Sequence, residues 1–341
     1  MRAFITGLSG PTLTAAERQF VRDEDPWGLI LFKRNVTTPD ALRRLIAEFR
    51  DLVGRQAAVL IDQEGGRVQR LGPPHWPSYS SGAGYGALFD RDPASGLAAA
   101  RLGGQLIAND LSQLGIDVDC APVADVPAAG ADPVIGDRAY GNEPAKVAVL
   151  ARAFAEGLMA GGVLPVLKHL PGHGRATADS HQRLPVVTAD RATLDTTDFA
   201  AFRPLCDLPL GMTAHVVFTA VDPVAPATTS ANIVKDVIRD SIGFNGLLMS
   251  DDISMGALSG TLSERTEAAI AAGCDVVLHC NGAISEMLEV AAAAPVLQGD
   301  AARRADAALA VRKRPEPLDV TASREQFAKL MQGTEPRAGS A

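Results

Sequence analysis

The sequence predicts an α/β fold of one closed (β/α)8 TIM barrel, and three observations lead there. Short apolar runs alternate with amphipathic helical stretches through eight repeats, the pattern of a parallel sheet covered by helices. No glycine-rich dinucleotide turn follows the first run, which counts against an open doubly wound sheet. Ionisable residues gather at the ends of the runs: Asp62 and Glu64, Asp125, Lys168 and His169, His215, Asp251 and Asp252, His279 with Asn281. In a parallel barrel these ends share one face, where active sites are built.

The eight strands are expected over residues 3–7, 28–32, 57–62, 116–123, 163–169, 208–217, 246–250 and 275–279. Helical periodicity fills residues 14–22, 39–52, 96–114, 144–160, 230–241 and 262–272. Pro39 opens its helix, Ser230 is an N-cap, and Gly54, Gly115 and Gly161 stop theirs. Two long connections, 67–93 and 171–198, read as binding loops or lids, with Gly172 and Gly174 as hinges of the second. In the first, the Pro-flanked Trp76 and Tyr79 pin the loop rather than stack on a ligand. One catalytic barrel is expected over residues 1–332, with a disordered polar tail at 333–341.

Apolar residues make up 47% of the 341, charged residues 21%, and the net charge is −8, which suits a soluble core and excludes non-specific nucleic-acid binding. The four cysteines form no CxxC pair and suit a reducing compartment. The N-terminus lacks the pattern of a signal peptide, and no apolar stretch is long enough to span a membrane. A cytoplasmic monomer without membrane contact, cofactor or metal is expected.

Residues 168–181 hold His169, His173, Asp179 and His181. A metal site would need three ligands in register, and Pro171, Gly172 and Gly174 break any helix that would align the first two histidines. Histidines that only bond loop backbone remain an alternative. An acid two residues from a histidine can orient the imidazole and stabilise its charged form, which suits a general acid/base. A serine hydrolase finds no GxSxG elbow. Asp251 and Asp252 end an apolar run. Adjacent side chains of a strand point to opposite faces, so one carboxylate faces the axis while the other binds turn backbone. By residue type alone Asp251 is a nucleophile, a metal ligand or a helix cap.

Seven motifs narrow this. AAVLIDQEGGRVQR at 57–70, APVADV at 121–126, IGDRAYG at 135–141, KHLPGHG at 168–174, DSH at 179–181, MTAH at 212–215 and SDDISMGA at 250–257 resemble those of family 3 glycoside hydrolases. Within that family the chain is most similar to the cytoplasmic β-N-acetylglucosaminidases (β-hexosaminidases) that recycle peptidoglycan fragments. The resemblance implies Asp251 as nucleophile and His181 as acid/base, with Asp179 as its partner. It implies sugar-binding roles for Asp62, Arg70, Arg138, Lys168 and His169, and a loop-shaping role for His173. Leu170 and Ala139-Tyr140 depart from the family's usual Phe and Ser-Phe, and neither change removes a chemical group. The implied reaction is retaining hydrolysis of terminal non-reducing β-linked N-acetylglucosamine from muropeptides. A phosphorylase that uses phosphate in place of water, and a non-catalytic sugar-binding barrel, are the alternatives.

Overall fold

In the computed structural model, which describes residues 1–333, eight parallel strands close a barrel. They are β1 (Arg2–Thr6), β2 (Pro26–Leu31), β3 (Ala58–Ile61), β4 (Val118–Asp119), β5 (Leu164–Leu170), β6 (Leu210–Thr213), β7 (Leu247–Asp252) and β8 (Val276–His279). Each pairs with its sequence neighbours, and β8 closes on β1 through Phe4–Val277, Ile5–Leu278 and Thr6–His279. All eight strands lie within or beside the runs expected of them.

Alternation along the strands divides the core in two. Ile5, Ile30, Leu60, Val118, Val166, Met212, Met249 and Leu278 pack together as one buried cluster. Their neighbours Phe4, Leu29, Val59, Leu167, Leu248 and Val277 join the helices in the other. Burying each such side chain contributes about 1.5–3 kcal/mol, so the double-faced apolar strand is the unit that sets the fold.

Helix starts follow local chemistry. Ala15–Glu24 begins with a capping box in which Glu17 N–H donates to Thr14 Oγ1 and Thr14 N–H to Glu17 Oε2. Leu262–Ala272 repeats the device with Thr261 and Glu264. Pro39–Val53 opens on Pro39 and closes at Gly54, whose φ of 67° favours glycine. Ser230 Oγ accepts from Ile233 N–H at the start of the π-helical stretch Ile233–Ser241.

Several expectations change. The run 208–217 is not one strand: β6 ends at Thr213, and Val217–Phe218 pairs instead with Val186–Val187. His215 therefore lies past the strand end. The connection 67–93 contains a helix, Gly82–Arg91, despite its glycines. Gly82 and Gly86 are there because backbone approaches: a Cβ would stand 2.2 Å from Arg138 O and 2.0 Å from Tyr140 O. Gly174 leaves no room for a side chain, since a Cβ there would stand 2.2 Å from Val126 O. Trp76 and Tyr79 are buried, and the Tyr79 hydroxyl bonds Asp110, so both pin the connection. Helices Gly299–Ala310 and Val320–Leu330 follow the eighth unit. From residue 334 on, the expected tail lies outside the described residues. No helix among them is long and apolar enough to cross a membrane.

Candidate active site

The C-terminal ends of the strands surround a cavity of about 440 Å³. Asp62, Arg70, Arg138, Lys168, His169, Asp179, His181 and Asp251 all line it, so every site residue expected from the sequence reaches one pocket. They come from the ends of β3, β5 and β7 and from the connections that follow β3, β4 and β5.

One wall is a charge network. Lys168, at the end of β5 and only 2% exposed, donates to Asp62 Oδ1 at 2.9 Å and lies 2.7 Å from Glu64 Oε1. Arg138 grips Glu64 with two parallel bonds of 2.9 and 2.8 Å, and Arg70 donates to Asp62 Oδ2 at 2.8 Å. Burial alone would raise both carboxyls. The Lys168 and Arg70 charges outweigh it at Asp62, and Arg138 and Lys168 take Glu64 down to about 2. Burial would likewise discharge Lys168, but Asp62 and Glu64 hold its pKa above the ordinary value.

His169 is oriented from behind. Asp125, fully buried after β4, lies 2.6 Å from His169 Nδ1 and accepts the His169 and His173 amides at 3.3 and 2.6 Å. Burial pushes the Asp125 carboxyl up, but His169 and His173 pull it below its ordinary value, so it is ionised and can only accept. His169 Nδ1 therefore carries a proton and Nε2 turns toward Arg138 Nη2, 3.5 Å away.

Opposite stands Asp251 at the tip of β7. Its Oδ1 accepts the Asp252 amide at 2.7 Å. Burial would raise its pKa, yet His215, His169 and that amide bring it below the ordinary carboxylate value, so Asp251 is an anion at neutral pH. Asp252, beyond a register irregularity in β7, also lines the cavity and is held in place by Ser254 N–H, Ser254 Oγ and Cys280 N–H, from which it accepts at 3.1, 2.7 and 3.2 Å. His215 is fully buried; its Nε2 donates to Asp252 O at 2.9 Å and fixes the strand tip.

The third group is on the connection after β5. Asp179 Oδ1 lies 2.7 Å from His181 Nδ1 and accepts the His181 amide at 2.9 Å. The His181 side chain is 65% exposed, in contrast to every other ring at the site. Asp179 is pushed up by burial and held below its ordinary value by these His181 bonds.

Glu64, Asp125 and His215 were visible as polar strand ends but not as parts of the site. Glu64 stands two residues after Asp62, the spacing that returns a side chain to the same face, and this was the available signal. Asp125 and His215 act on partners distant in sequence, Asp125 on the His169 ring and the His169 and His173 amides and His215 on the Asp252 carbonyl, which residue type alone does not reveal. Among the described residues no three His, Cys, Asp or Glu side chains come together to hold a metal ion. His169 and His173 stand edge to face at 5.8 Å, each with its own partner.

Comparison with known proteins places the chain in a family. Residues 5–310 match the glycosyl hydrolase family 3 N-terminal domain. A β-hexosaminidase of Alkalilimnicola ehrlichii is 40% identical over 279 residues, 81% of this chain and 79% of that one. NagZ of Neisseria gonorrhoeae, solved in complex with zinc ion, superposes with a TM-score of 0.83 at 32% identity over 97% of this chain and 98% of its own. The same protein with N-trifluoroacetyl-D-glucosamine gives 0.80 at 31% identity, with the same coverage. The zinc and the sugar analogue are features of those complexes. With the family matched across most of its length and the ionisable strand ends converging on one cavity, the chain belongs to glycosyl hydrolase family 3 and is a glycosidase.

Proposed function

We propose that the chain is a retaining β-N-acetylglucosaminidase that removes terminal β-linked N-acetylglucosamine by double displacement. The observation that carries this reading is the single pocket shared by the ionised Asp251 and the Asp179–His181 pair. The relatives named β-hexosaminidase and the neighbour solved with an N-acylglucosamine support the sugar. The motif resemblance extends the proposal to muropeptides cleaved in the cytoplasm by a monomer.

In the first step Asp251 attacks the anomeric carbon, the glycosidic C–O bond breaks, and protonated His181 gives its proton to the departing oxygen. Most retaining enzymes use a second carboxyl group for that proton. Here the Asp179 carboxylate, 2.7 Å from Nδ1, orients the imidazole. In the second step neutral His181 takes a proton from water, the hydroxide oxygen bonds the anomeric carbon, and Asp251 is released. Asp62, Arg70, Arg138, Lys168 and His169 offer charged acceptors and donors to the sugar's hydroxyl and amide groups. Their mutual ion pairs hold them in place before substrate arrives, so less is lost to reorganisation on binding.

A slow fluorinated N-acetylglucosamine donor should leave a covalent sugar on the peptide containing Asp251. Mass on any other peptide, or none on an enzyme that turns over the parent aryl glycoside, overturns the mechanism.

A further inference from the structure

We propose that Ser180 and His173 are a positioning pair that fixes where the His181 imidazole sits, clamping the acid/base connection between the strand ends of β5 and β7. The inference rests on the function proposed above. Ser180 stands between Asp179 and His181, yet it is 2% exposed while the His181 side chain is 65% exposed. A buried hydroxyl needs a partner, and its partner is His173 Nε2 at 3.0 Å.

Both sides of this bond are anchored. His173 is 3% exposed, and its amide donates to Asp125 Oδ1 at 2.6 Å. The next residue, Gly174, lies against the Val126 carbonyl with no room for a side chain. On the other side, Ser180 O accepts the Ala257 amide at 3.1 Å and His181 O accepts the Gly256 amide at 3.3 Å. Gly256 and Ala257 follow the strand that carries Asp251. The proton-handling ring is thereby tied to the nucleophile's own strand and to the strand that carries Lys168 and His169. Burial, with the neighbouring His169, takes the His173 ring down to about 4. The pair is therefore neutral near pH 7 and does not compete with His181 for its proton. An exposed imidazole with one carboxylate partner has freedom to swing, and an ångström of misplacement degrades proton transfer.

The test compares wild type, Ser180→Ala and Ser180→Thr on two aryl β-N-acetylglucosaminides. One carries a dinitrophenyl group, which leaves without a proton, and the other a phenyl group, which needs one. Because kcat/KM reports steps up to the first bond cleavage, it isolates the acid role of His181 from its later base role. Ser180→Ala should lose about tenfold or more in kcat/KM on the phenyl glycoside and stay within about threefold of wild type on the dinitrophenyl one, part of the 10²–10⁴-fold that a general acid contributes. Ser180→Thr, which keeps the hydroxyl, should restore the phenyl rate. Equal losses on both substrates, no loss on either, or a threonine variant as slow as alanine each overturn the positioning role. A wild type that cleaves neither substrate overturns the function itself, a separate result. If Ser180→Ala does not fold, Ser180→Cys is read on the same two substrates by the same criteria.

Discussion

Lys168 Nζ lies 2.9 Å from Asp62 Oδ1 and 2.7 Å from Glu64 Oε1, with only 2% of the residue reached by solvent. One ammonium thus bridges two buried carboxylates, each of which also pairs with an arginine, Asp62 with Arg70 and Glu64 with Arg138. Lys168→Met keeps the length of the chain and removes the charge. It should cost about 3–5 kcal/mol of stability, the range for breaking a buried ion pair from one side. Chemical denaturation reads the loss as a lower midpoint. A midpoint within error of wild type would mean that Arg70 and Arg138 alone suffice to hold Asp62 and Glu64.

Glu64 gives the acid limb of stability its position. Its folded pKa is lowered to about 2, because Arg138 and Lys168 outweigh burial. The unfolded carboxyl sits near about 4.3. Below that value the unfolded chain takes up a proton that the folded chain refuses, so stability is full above pH ~4.3 and is lost as pH falls toward 2. Glu64→Gln should be less stable than wild type at pH 7, and the gap should shrink over that window. Midpoints of thermal unfolding at pH 7, 4 and 3 follow it.

Asp119 runs the other way. It is fully buried, its Oδ1 accepts the Gln63 amide at 2.9 Å, and Oδ2 has no partner. Burial raises its pKa to about 8. Between the unfolded value near ~3.9 and pH 8 the unfolded chain releases a proton that the folded chain keeps, so this group's contribution declines as pH rises. An asparagine side chain at this position imitates the neutral acid at every pH. Asp119→Asn should therefore gain on wild type steadily from pH 4 to pH 8 in unfolding midpoint. A pH-independent difference would show that Asp119 is ionised in the folded protein.

For His181 the relevant neighbour is Asp179, 2.7 Å from Nδ1. Asparagine keeps an acceptor at that point but removes the carboxylate that orients the ring. Asp179→Asn should lower kcat/KM by about ten- to a hundredfold on substrates that need a proton, within the range for general acid catalysis, with little change on substrates that do not. Steady-state kinetics on the two substrate types decides it. A rise in KM alone would assign Asp179 to sugar binding.

The barrel was legible because its strands are buried on both faces and its helices carry amphipathic periodicity, so the alternation repeats eight times. The same residue types located the pocket, since Lys168, His169 and Asp251 have few reasons to end apolar strands. Asp125 and His215 read as ionisable strand ends, but their roles were not legible for a physical reason. Each acts on groups of a segment distant in sequence, Asp125 on the His169 ring and the His173 amide and His215 on the Asp252 carbonyl, which no local pattern encodes. The split of residues 208–217 was hidden in the same way. Val217 and Phe218 have every property of a barrel strand, and only their pairing with Val186 and Val187 sends them elsewhere.

The helix Gly82–Arg91 shows the limit most plainly and supports a sharper test. Glycine disfavours helix by about 1 kcal/mol relative to alanine, so three glycines in five residues read as a loop. Two of them are required by contact: a Cβ at Gly82 would meet Arg138 O at 2.2 Å, and one at Gly86 would meet Tyr140 O at 2.0 Å. Gly84 differs, because the close contact of its Cβ would be the Ser80 Oγ, a side-chain tip that can rotate away. Gly84→Ala should be neutral or stabilise by up to about 1 kcal/mol. Gly86→Ala should destabilise by about 1–3 kcal/mol through overpacking. Gly82→Ala adds a kinetic signature, since displacing the Arg138 backbone pulls its guanidinium off Glu64 and out of the pocket wall. It should raise KM as well as lower the unfolding midpoint, whereas Gly86→Ala should lower the midpoint more than it changes KM. Equal effects at all three positions would refute the packing argument.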